Sequence, residues 1–101
     1  MSAIQNLQHI VRSGFQAVPV HNSAGELEAL LYSRQWRSGT VDVLIVHSHT
    51  EAFAYRATEI DPRTPLTPKP GALLWHCEGT PELVTDALLE LRPADSPLWT
   101  P

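Results

Sequence analysis

"VDVLIVHSHTEAFAYR", residues 41–56, is two apolar runs around a short polar break. Val41–Val46 holds three Val, one Ile and one Leu among six residues, a composition that suits a pleated, largely buried strand. "AFAYRAT" (52–58) reads as a second strand, and the four residues Ser48 to Glu51 suit an antiparallel hairpin loop. The alternative is chemically sharper. If the backbone stayed extended through 47–51, His47, His49 and Glu51 would share one face, because side chains alternate along a strand. Two His and a carboxylate are the ligand set of many non-haem iron sites. A turn is nevertheless required between two such strands, and a turn splays the three side chains apart.

Taking the hairpin as fixed, the flanking segments fall into place. "FQAVPV" (15–20) reads as a short strand that Pro19 confines to a sheet edge, and "HNSAG" (21–25) reads as a turn. "ELEALLYSRQW" (26–36) has a helical composition but lies between two turns, which favours a strand from Leu27 to Trp36. Gly39 follows, able to take a positive φ. On the C-terminal side, four prolines (Pro62, Pro65, Pro68, Pro70) predict an extended, polyproline-like connection over 59–71. "ALLWHC" (72–77) then reads as a strand buried on both faces near its middle.

A helix is predicted at each end. Over 2–13, Ser2 is a candidate N-cap, Ile4, Leu7, Ile10 and Val11 form one stripe, and Gly14 supplies the stop. In "GTPELVTDALLELRP", Thr80 caps, Pro81 sits where a missing N–H costs nothing, and Glu82 complements the positive end of the helix dipole. Val84, Ala87, Leu88 and Leu91 form its buried stripe with Leu83 beside it, and Pro93 lies beyond the end. Residues 93–101 have no regular pattern and are expected to form a loose tail, apart from Trp99 docking back. The fold class is therefore α+β in a single domain spanning 1–101: a helix, a meander of four to five mostly antiparallel strands, then a helix packed on one face.

Composition excludes several functions. The 101 residues carry 11 acidic and 7 scattered basic side chains, a net charge of −4 that fits neither a phosphate backbone nor an anionic membrane surface. No apolar run approaches the ~18 residues of a membrane helix, and the N-terminus lacks a signal-peptide pattern. The single Cys77 fits a reducing, cytoplasmic setting. No Gly-rich phosphate loop, G-x-S-x-G elbow or C-x-x-C pair is present, so no cofactor is implied.

The His47, His49 and Glu51 pattern resembles the first motif of the cupins, in which a Gly precedes an H-x-H pair and a later Glu. Seven residues separate Gly39 from His47, only Thr50 separates His49 from Glu51, and the second motif would fall on "PKPGALLWH" with His76. Both spacings depart from the family's. The resemblance, covering about a quarter of the chain, would imply a metal-dependent small enzyme or small-molecule-binding protein using His47, His49, Glu51 and His76.

His76 and Cys77 are strand neighbours pointing to opposite faces, so they make no nucleophile pair. Pro62, Pro65 and Pro68 have the three-residue spacing of polyproline ligands, which a surface connection also explains. Arg34, Trp36 and Arg37 combine residue types enriched at interface hot spots. The helix–meander–helix order is similar in outline to small bacterial chaperone-like and adaptor proteins, a likeness of shape alone. The sequence thus points to a non-catalytic interaction, adaptor or regulatory module, binding a protein partner or a second copy of itself through Arg34, Trp36 and Arg37 or an edge strand.

Overall fold

The computed structural model describes residues 3–60, 63, 64 and 66–94, with side chains described from Gln8 onward. Its elements are α1 (Ala3–Arg12), β1 (Gln16–His21), β2 (Leu27–Gln35), β3 (Val41–Val46), β4 (Ala52–Ala57), β5 (Leu73–Gly79) and α2 (Pro81–Leu89). The strands form one antiparallel sheet in sequence order, β1-β2-β3-β4-β5, so it is an open meander with β1 and β5 at its edges. Pro19 lies in the edge strand β1, where its missing N–H interrupts the outer ladder least.

The hairpin forms where the polar break is. Val46 pairs with Ala52, and the loop is closed by His47 N donating to Glu51 O at 3.0 Å and Ser48 N to the same carbonyl at 3.2 Å. Gly14 and Gly39 have φ of 93° and 94°, the left-handed conformation their turns require. At α2, Thr80 Oγ1 accepts from Leu83 N at 3.3 Å and Pro81 opens the first turn.

The two faces of the sheet are buried differently. Ile10, Phe15, Tyr32, Leu44, Ala54, Val84 and Leu88 make one core, in which α2 covers β3, β4 and β5 and α1 packs against α2. On the other face, Leu31, Val41, Val43, Ile45, Tyr55 and Ala72 make a second core with Ile60 and Leu66 packed on it. The proline-rich connection is therefore the lid of the second face. Its described part is not an extended polyproline run: Thr67 N donates to Thr64 O and Ala72 N to Lys69 O, folding the segment into turns that bring Leu66 inward. Burial at this core pushes the Tyr55 hydroxyl up to about 12.

Three further expectations need correction. β5 is an edge strand among the described residues and most of its residues are exposed, so it is not buried on both faces. On α1, Ile10 is fully buried but Val11 is 56% exposed, so the buried stripe is narrower than its apolar residues. On α2, Val84 and Leu88 are buried while Leu83 is 56% exposed, outside the core. Ser2, Pro62, Pro65, Trp99 and the rest of the tail from residue 95 lie outside the described residues.

Candidate functional site

Cross-strand register assembles the one buried charge cluster among the described residues. Arg34 on β2, Asp42 on β3 and Arg56 on β4 are successive partners in a single row, with Trp75 of β5 next. Directly opposed side chains have Cβ atoms only about 4.5–5.5 Å apart, so three neighbouring strands deliver a cation, an anion and a cation to one spot. Asp42 is fully buried. Its Oδ2 accepts from Arg34 Nε, Arg56 Nη2 and Trp36 Nε1, each at 3.0 Å, and its Oδ1 accepts from Arg56 Nε at 2.6 Å.

The guanidiniums also reach beyond the row. Arg34 Nη1 donates to Ser13 O at 3.0 Å, just past the end of α1, and Arg56 Nη1 donates to Arg92 O at 2.7 Å, past the end of α2. Arg34 Cζ stands 4.6 Å from the Phe15 ring centroid and 4.9 Å from that of Trp36, and Arg56 Cζ stands 5.5 Å from that of Trp36. One carboxylate thus orients two cations that fasten both helix exits to the sheet.

Burial by itself pushes the Asp42 carboxyl up, but hydrogen bonds from Arg56, Trp36 and Arg34 outweigh it and hold the group below the ordinary carboxylate range. Burial lowers the Arg34 guanidinium, partly offset by its bond to Asp42. Its charge state is unaffected near neutrality, since Arg stays protonated in proteins.

This changes the standing of the residues read as a contact surface. Trp36 is 3% exposed and the Arg34 side chain 8%, both turned inward, and only Arg37 faces solvent. Asp42 and Arg56 were not singled out from sequence. The available signal was a lone Asp inside an otherwise apolar strand, which must find partners if buried.

The residues of the metal reading are not brought together. His47, His49 and Glu51 surround a turn and are exposed, and among the described residues no three His, Cys, Asp or Glu side chains group as metal ligands. His76 lies opposite Tyr55, which pairs with Val43, four residues along β3 from His47. That separation is about 13 Å at strand rise. The His76 ring instead sits 6.2 Å from that of Phe53. An open hollow at this end of the sheet is lined by His47, Glu51, Phe53, Glu78 and Thr80.

The other exposed feature is the β5 edge. Trp75 pairs with Arg56 but Leu73 pairs with Ala57, so Leu74 is an extra residue, a bulge. The bulge moves Leu73 away from the face that Trp75 occupies, leaving Leu73 40% and Leu74 58% exposed. Leu83 lies just above the far end of this strand: a Cβ on Gly79 would sit 3.3 Å from Leu83 Cδ2. Compared with known proteins, the chain matches no family, no curated protein and no solved structure. Among the described residues no helix is long and apolar enough to cross a membrane.

Proposed function

We propose that this chain is a small cytoplasmic, non-catalytic interaction module, an adaptor or regulator that binds protein through the β5 edge of its sheet. The observation that carries the reading is the outer edge of β5, which no strand among the described residues pairs with, which has no proline, and which carries exposed Leu74 with exposed Leu83 beside it. Natural sheets usually blunt such edges with proline, charge or a covering element. β1 is blunted in this way by Pro19. From Trp75 to Gly79 the β5 edge is regular, and backbone groups there suit strand addition by a partner. The buried charges support the non-catalytic part: Asp42, Arg34 and Arg56 are engaged with one another and with main-chain carbonyls, an arrangement that fixes structure.

Site-specific photo-crosslinking in the native cell tests this. A photo-reactive phenylalanine replacing Leu83 or Leu74 should give discrete protein adducts, while the same group replacing Val18 on β1 should not. Adducts absent from both β5-side positions, or equally abundant at Val18, would overturn the assignment.

A further inference from the structure

We infer that the strand added to β5 is the β5 of a second copy, paired antiparallel about a two-fold axis at Cys77 to give a continuous ten-stranded sheet. This rests on the β5-edge reading above and names its occupant. The bulge at Leu74 leaves Trp75–Gly79 as the regular part of the edge, and its central residue is Cys77. An antiparallel pair centred there sets His76 opposite Glu78 of the second copy, and Glu78 opposite His76 of the second copy. Both side chains are exposed, and both lie on the face of the sheet that carries Phe53 and Tyr55. The titratable groups on that face of the strand are thus self-complementary in this register. Centring the axis one residue earlier would set His76 against His76 and Glu78 against Leu74, losing that complementarity.

The helix-side face agrees. The same register sets Trp75 opposite Gly79 of the second copy, a residue with no side chain of its own to meet the ring. Leu83 stands over Gly79, as the 3.3 Å approach to a Cβ there shows, so the incoming Trp75 would meet it. This gives Leu83, 56% exposed among the described residues, an apolar partner. α2 contacts β3, β4 and β5, so its axis lies back from the edge. With β4 of each copy three strand spacings apart, about 14 Å, the two α2 helices have room side by side.

Sedimentation equilibrium of the purified full chain under reducing conditions, from low micromolar to millimolar concentration, should show a reversible monomer–dimer equilibrium. His76→Glu sets like charges opposite each other at two symmetric positions and should raise the dimer Kd about tenfold. The double variant His76→Glu/Glu78→His, with the pair restored in reverse, should recover it. Leu83→Glu should also weaken the dimer without lowering the melting temperature, because Glu at that position completes a capping box with Thr80. Under oxidised glutathione the wild type should form a Cys77–Cys77 cross-link, since directly opposed Cα atoms at about 4.5–5.5 Å fall within disulfide range. A monomer at every concentration would refute the inference, as would a dimer indifferent to His76→Glu. If the protein alone is monomeric while crosslinks from position 83 still capture a different protein, the occupant is wrong and the β5-edge reading stands. If a dimer forms but none of the β5-side variants affects it, both fail.

Discussion

Asp42→Asn should be the most damaging single-atom-scale change in this protein. The substitution keeps the shape of the side chain but removes the charge that three donor residues converge on: Arg34, Arg56 and Trp36. It also places an amide NH2 among donors. Two buried guanidiniums, with side chains 8% and 11% exposed, then face each other without their anion. Breaking a buried pair by removing one partner costs about 3–5 kcal/mol, most of it from the charge left behind. A chain of this length has roughly 5–15 kcal/mol in total. At about 4–8 °C per kcal/mol for a domain near this size, the melting temperature should fall by at least about 12 °C. Circular dichroism melts and urea titrations of the two proteins at neutral pH measure this directly. Replacing the trio together (Arg34→Met, Asp42→Leu, Arg56→Met) should recover part of the loss, because no uncompensated charge remains. A fall of under about 3 °C for Asp42→Asn would refute the argument that this carboxylate holds the cluster together. Acid provides an independent arm. The folded-state value of Asp42 lies below its ordinary 3.8, so its contribution is fully present above that pH. It is lost as pH falls through the depressed folded value, because the unfolded state then binds the extra proton first. The stability gap between wild type and Asp42→Asn should therefore be constant above pH 3.8 and narrow below it.

Other expectations follow from burial. Leu88 is fully buried in the core under α2, so Leu88→Ala should cost about 2–5 kcal/mol in a urea titration, whereas Thr80→Ala, which removes one capping bond, should cost about 1 kcal/mol. A Leu88→Ala protein as stable as wild type would take this residue out of the core. On β5, Trp75 and Cys77 pack against the core that holds Leu88 while Leu73 is 40% exposed outside it, so Leu73→Ala should be milder than Leu88→Ala in the same assay. His47→Ala and His49→Ala together, both on the exposed hairpin, should shift stability by under about 0.5 kcal/mol. Near-stoichiometric iron, zinc or manganese in untagged wild type, lost in that double variant, would contradict the hairpin reading.

Much of the architecture is local and was legible in the residues. The β-branched run of β3, the polar break after it, Gly14 and Gly39 at turns, and the Thr80–Pro81–Glu82 start of α2 each act within a few residues of where they occur. Their conformational preferences need no distant partner, so element types and the meander order could be read directly. Side-chain destinations could not. Arg34 and Trp36 looked like a surface patch because Trp–Arg composition does not say which way a strand residue faces. Only the pairing of β2, β3 and β4 aligns Arg34, Asp42 and Arg56, residues spread over more than twenty positions of chain, into one buried row. Likewise a single extra residue, Leu74, moves Leu73 off the face of Trp75, and that bulge exists only relative to β4. Periodicity along one segment carries the backbone's own preference, whereas register, facing and burial are properties of pairs of segments. Those were decided when the sheet closed around Asp42.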